Sequence, residues 1–184
     1  MSSRIVITGA PGSGKSEFLN RLRELPRLRR FTFLEEIARQ LLSENPAYRR
    51  QPLEFHQMIY QEQVQREEAL HDRPFISDRG TIDAFAFHPE TLVSVGTTLE
   101  REYRRYTSVI QLGSSASLGP DFYAVDEIRN ESADDVLAIE RALKNVWRDH
   151  SDYHFVKART QYESKYTELV EILDKCVART SEIQ

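Results

Sequence analysis

The feature that most constrains this chain is the octapeptide Gly9-Ala-Pro-Gly-Ser-Gly-Lys-Ser16, which meets every fixed position of the phosphate-cradling P-loop pattern. It follows a short β-branched run, Arg4-Ile-Val-Ile-Thr8, which reads as a strand buried on both faces. It opens a stretch in which Phe18, Leu19, Leu22 and Leu25 share one helical face before Pro26 stops it. In that setting consecutive backbone N–H groups around Gly12 to Lys15 converge on phosphate oxygens, and the helix N-terminus adds a positive dipole. Three of the chain's seven glycines, Gly9, Gly12 and Gly14, fall within these eight residues. The nucleotide-contacting segment is therefore read as Gly9, Ala10, Pro11, Gly12, Ser13, Gly14, Lys15, Ser16 and Glu17. Lys15 is expected to act on the β and γ phosphates, and Ser16 to bind Mg²⁺.

Downstream, strand and helix patterns alternate. Strands are predicted over 31–35, 74–78, 108–112 and 153–157, and helices over 36–43, 52–71 and 90–106. In the helix over 52–71, Phe55, Ile59 and Val64 are the expected buried stripe. Residues 113–129 lose periodicity and contain Gly, Ser and Pro, which predicts a mobile loop with some local helix, a lid over about 113–131. Ser132 begins a Ser-x-x-Asp capping pattern ahead of Val136, Ile139, Leu143, Val146 and Trp147, and Tyr162 to Val177 carry a C-terminal helix. Five strands alternating with helices predict an α/β fold with a parallel sheet flanked by helices. The length of 184 residues suits one domain spanning the whole chain.

A net charge of −4 supplies no overall positive field, so nucleic acid is not an expected partner. One cysteine, Cys176, forms no intrachain disulfide, and with five scattered histidines it offers no zinc-ligand spacing. No apolar run approaches the twenty residues of a membrane span, and neither a span nor a signal peptide is expected. Together these predict a cytoplasmic protein.

Several charged residues carry candidate chemistry. Asp78 ends the third strand, on the sheet edge where ligands gather, and is read as a holder of the Mg²⁺ water shell or as a cap of the next helix. Arg79 follows it and pairs either with substrate or phosphate or with a carboxylate of the protein. Glu35 and Glu36 end the second strand, with Arg39 on the same helical face as Glu36. One of the two glutamates fits a carboxylate that orients a hydroxyl nucleophile and accepts its proton, and a solvated helix start fits the spacing equally. Arginines at 21, 23, 27, 29 and 30, and at 101, 104 and 105, read mainly as solvated faces paired with glutamates. Arg129, the one arginine of the aperiodic stretch, is a candidate catalytic lid residue for the transferring phosphate or a charge flanking the next helix.

Taken in order, GAPGSGKS at 9–16, Glu36-Ile-Ala-Arg39, the glutamine-rich helix from Phe55 to Gln63, Asp78-Arg-Gly-Thr-Ile-Asp83 and Tyr123-x-x-Asp126-x-x-Arg129 resemble a family. It is the small P-loop kinase-like proteins that include the ribosylnicotinamide kinase domain of bacterial NAD regulators and the animal translocation-defect GTP-binding proteins. The resemblance runs through nearly the whole chain. It implies a P-loop NTPase core with strand order 2-3-1-4-5, a nucleotide-kinase-like lid around Tyr123 to Arg129, and Mg²⁺ near Ser16 and Asp78. It further implies an acceptor pocket between Glu36, Asp78 and Asp83, beside which Arg39 and Arg79 are candidate substrate contacts. A base preference would be set by residues 158–161. Phe87 stands where the family pattern leads one to expect a tyrosine.

The expected activity is an ATP-dependent kinase acting on a small hydroxyl-bearing, nucleoside-like metabolite. The alternative is a slow NTPase switch that binds a protein or lipid partner. The absence of an Asn-Lys-x-Asp guanine-reading motif favours ATP and leaves GTP open. A full AAA+ motor is disfavoured, because Arg79 follows Asp78 where such motors usually place a catalytic glutamate.

Overall fold

The computed structural model describes residues 2–123 and 131–182. Strand β1 (Arg4–Gly9) lies at the centre of a five-stranded parallel sheet whose other members are β2 (Thr32–Leu34), β3 (Phe75–Asp78), β4 (Ser108–Leu112) and β5 (Tyr153–Val156). The order is β2-β3-β1-β4-β5, as the family resemblance implied. Alternate residues of β1 serve opposite faces. Ile5 and Ile7 pack with Phe18, Leu22, Leu169 and Leu173, whereas Val6 packs with Val109, Phe85, Tyr106 and Trp147. Because helices cover both faces, the central strands are buried nearly throughout rather than on alternate residues.

The helices are α1 (Lys15–Arg23), α2 (Ile37–Glu44), α3 (Pro52–Glu68), α4 (Asp83–Phe87), α5 (Glu90–Ser94), α6 (Leu99–Tyr103), α7 (Ala133–Trp147) and α8 (Tyr162–Glu182). Ser132 and Asp135 form a complete capping box at the start of α7. The single helix expected over 90–106 is instead α5 and α6, separated by a turn in which Gly96 takes a left-handed φ of +68°. Helix α4, which begins at Asp83, is the helix expected without bounds after Asp78.

Helix α3 buries Gln63 and Glu67, while Phe55, Ile59 and Val64 are only partly covered. The expected apolar stripe is therefore replaced by a polar one. Gln63 Nε2 donates to Ser77 Oγ at 2.9 Å and to Glu67 Oε1 at 2.8 Å, and Glu67 also accepts from Tyr106 Oη at 2.7 Å and Arg105 Nε at 2.8 Å.

Residues 113–123 hold two short 3₁₀ turns, Ser115–Leu118 and Pro120–Phe122. Ala116 and Tyr123 are buried against Ala10 and Val136, so this part of the expected loop is packed beside the glycine turn. Asp126 and Arg129 lie outside the described residues.

Arg21 and Arg27 pair with Glu163 and Asp174 of α8, which fits the solvated-face reading. At the end of the sheet opposite the glycine turn, the fold brings one side-chain O, N or S atom each of Asp152, His154 and Cys176 within 4.8 Å of the others, a grouping their sequence spacing does not reveal. Asp152 is engaged there by Ser108 Oγ at 2.6 Å and by Arg179 Nη1 at 2.5 Å. Among the described residues no helix is long and apolar enough to cross a membrane.

Candidate active site

The site is built at the C-terminal ends of β1 and β3, which pair in register with Ile7 opposite Asp78. After β1 the chain turns through Gly12 and Gly14, whose φ values of +74° and +80° lie in the left-handed region that only glycine enters freely. Three successive carbonyls of this turn are taken by donors from outside it. Ser114 Oγ donates to the Pro11 carbonyl at 2.6 Å, Ser115 N–H to that of Gly12 at 3.1 Å, and Lys165 Nζ to that of Ser13 at 2.6 Å. The segment after β4 thus braces the turn, and Ser16 and Glu17 are exposed at the first turn of α1.

Lys15 and Asp78 form an ion pair, each side chain about nine-tenths buried. Burial pushes the Asp78 carboxyl above its ordinary value, and the nearby Lys15 charge offsets this only in part.

Arg79 adopts a left-handed φ of +75°, a costly conformation for a residue with a side chain. Its Nε donates to Glu36 Oε1 at 2.9 Å, its Nη1 reaches Asp83 Oδ1 at 3.3 Å, and its guanidinium carbon lies 5.1 Å from the centre of the Phe87 ring. Of the two pairings open to Arg79 in the sequence, the structure shows carboxylates of the protein, and both belong to the site wall. Burial alone would raise the Glu36 carboxyl, but the Arg79 and Lys15 charges outweigh it and hold the group below its ordinary value. Glu35, by contrast, is exposed and pairs with Arg23 at 2.5 Å.

Asp83 is 2% exposed, and both its oxygens are in use. Oδ1 accepts from Thr8 Oγ1 and Arg79, and Oδ2 accepts from the Gly80 N–H at 3.0 Å and Trp147 Nε1 at 3.2 Å. It stands in the pocket wall as an anchor of the turn between β3 and α4.

Two cavities meet at Glu36 and Asp78. The larger, about 560 Å³, is lined by Ser16, Asn20, Arg23, Glu35 and Arg39 beside the shared pair. The smaller, about 270 Å³, is walled by Phe55, His56, Gln63, Arg79, Asp83 and Phe87. Sequence-expected residues thus divide between them: Ser16 and Arg39 face the first, Arg79 and Asp83 the second, and Glu36 and Asp78 both. His56 was not foreseen. Its ring stacks at 5.5 Å on His88 and at 6.1 Å on Phe87, and burial, with His88 nearby, holds it below its ordinary value. The one signal for it in the sequence is its place next to Phe55 on the glutamine-rich helix.

The hard oxygen donors of Ser16 and Asp78 share one cavity wall beside the turn, a donor set that suits Mg²⁺ retaining several waters. The model of a family described as AAA domain matches residues 4–165. No curated protein matches the chain.

Proposed function

The chain belongs to this AAA domain family, a nucleotide-binding P-loop fold, and on that premise we propose that it is an ATP-dependent phosphotransferase acting on a small, hydroxyl-bearing, nucleoside-like acceptor. The observation that carries the proposal is the second cavity. A pocket of about 270 Å³ adjoins the phosphate turn through Glu36 and Asp78, which suits an acceptor beside the γ-phosphate. Its walls of Phe55, His56 and Phe87 suit a planar ring, and its carboxylates suit hydroxyl groups.

In this account the backbone N–H groups of the turn and Lys15 hold the polyphosphate, Lys15 leaving Asp78 to do so. Ser16 and Asp78 would hold Mg²⁺, which would supply charge neutralisation on the polyphosphate. Glu36, ionised at neutral pH, accepts the acceptor's hydroxyl proton as the new O–P bond forms. The bond from the γ-phosphorus to the bridging oxygen breaks, and ADP leaves with that oxygen. Arg79 keeps Glu36 in place and ionised. Arg129, outside the described residues, is assigned the transferring phosphate on its sequence position alone.

Incubation with labelled ATP and a panel of nucleosides, nicotinamide riboside and sugars tests the proposal. Acceptor-dependent transfer that is lost in Lys15→Ala supports it. Hydrolysis of ATP that no acceptor changes would contradict it.

A further inference from the structure

We infer that Lys165 is a positioning residue for nucleotide binding, fixing from behind the P-loop the peptide planes that present N–H groups to phosphate. This rests on the phosphate-site reading above. Lys165 stands near the start of α8, is 5% exposed, and donates from Nζ to the carbonyls of Ser13 and Gly113 at 2.6 Å each. A trans peptide points its C=O and N–H to opposite sides. Drawing the Ser13 carbonyl toward α8 therefore turns the Gly14 N–H away from α8. The same antiparallel arrangement is visible at Gly113, where the following Ser114 N–H donates to Glu140 Oε2 at 2.5 Å. Gly14, at φ +80°, has no side chain to restrict this peptide, so the ammonium clamp supplies the restriction.

The charge on Lys165 points the same way. Among the described residues no carboxylate lies within ion-pair distance of Nζ. Glu140 of α7 acts on it at longer range, and the Phe18 ring of α1, on which Tyr162 and Tyr166 of its own helix pack, lies at 5.7 Å. Burial pushes its pKa down to about 8. A polyphosphate in the turn adds negative charge to the partial compensation that Glu140 provides, and so favours the protonated form. Nucleotide affinity is then strongest below pH 8 and falls as pH rises past it.

The test is ATP·Mg²⁺ affinity by calorimetry for wild type, Lys165→Met, Lys165→Arg and Lys15→Ala between pH 7 and 9.5, with thermal unfolding of each. Lys165→Met is expected to weaken ATP binding roughly tenfold or more. The wild-type affinity should fall with pH, while that of Lys165→Arg, charged throughout, should not. Wild-type affinity in Lys165→Met, or parallel pH profiles in wild type and Lys165→Arg, would overturn the inference. Should Lys165→Met fail to fold, the comparison of the other two profiles decides. Undiminished ATP binding in Lys15→Ala would instead overturn the phosphate-site reading itself.

Discussion

Arg79 Nε donates a 2.9 Å hydrogen bond to Glu36 Oε1, tying the residue after β3 to the residue that opens α2. That bond holds Glu36 in the wall shared by the two cavities, whereas Glu35 points to Arg23 at the rim of the larger one. Glu36→Gln is therefore expected to lower acceptor-dependent turnover by about 10²-fold or more with ATP affinity nearly unchanged. Glu35→Gln should leave turnover close to wild type. Steady-state kinetics on the two variants separates the glutamates.

Asp83 has four protein donors on one buried carboxylate. Asp83→Ala leaves Arg79, the Gly80 N–H and Trp147 Nε1 short of a partner, and is expected to cost about 3 kcal/mol or more in urea unfolding. A loss below about 1 kcal/mol, the range of ordinary surface substitutions, would contradict the anchoring role.

Gly12 and Gly96 give a matched pair. Both are left-handed, at φ +74° and +68°, but a Cβ on Gly12 would lie 2.9 Å from the Tyr123 ring, and one on Gly96 would meet nothing within 4 Å. Each change to alanine costs about 1–2 kcal/mol of backbone strain. Only Gly12→Ala should also reduce ATP affinity, which binding measurements on the two variants would show.

The depressed pKa of Glu36 sets a pH dependence of definite sign. Its folded value lies below the ordinary 4.5, so its stabilising contribution is present above 4.5 and is lost as pH falls through the folded value. The raised Asp78 acts in the opposite sense, which makes the difference between wild type and Glu36→Gln the quantity to measure. Urea unfolding of both should show that difference at neutral pH, shrinking as pH falls below 4.5. A gap that widens on acidification would have the wrong sign.

The glycine turn, the strands and the cap at Ser132 were legible because each rests on local chemistry: φ above zero, β-branched runs, a side chain returning to the backbone. Helix α3 was misread because its inner face meets Ser77, Tyr106 and Arg105, so polar Gln63 and Glu67 are buried where an apolar stripe was expected. Helix α4 could be given no bounds from sequence because it is five residues long and is anchored by Asp83, whose partners Thr8 and Trp147 are 75 and 64 positions away. The proposal of Glu36 over Glu35 rests on Arg79, which is 43 positions from Glu36 in sequence. Lys165 carried no motif at all, since its partners are backbone carbonyls 152 and 52 positions distant.

The most direct test of the central claim is transfer of the γ-phosphoryl group from ATP to an acceptor, followed with labelled nucleotide in wild type and Lys15→Ala. Wild type should yield a phosphorylated acceptor, and Lys15→Ala should lose both transfer and ATP affinity. No acceptor-dependent transfer across the panel, together with wild-type ATP affinity in Lys15→Ala, would contradict it.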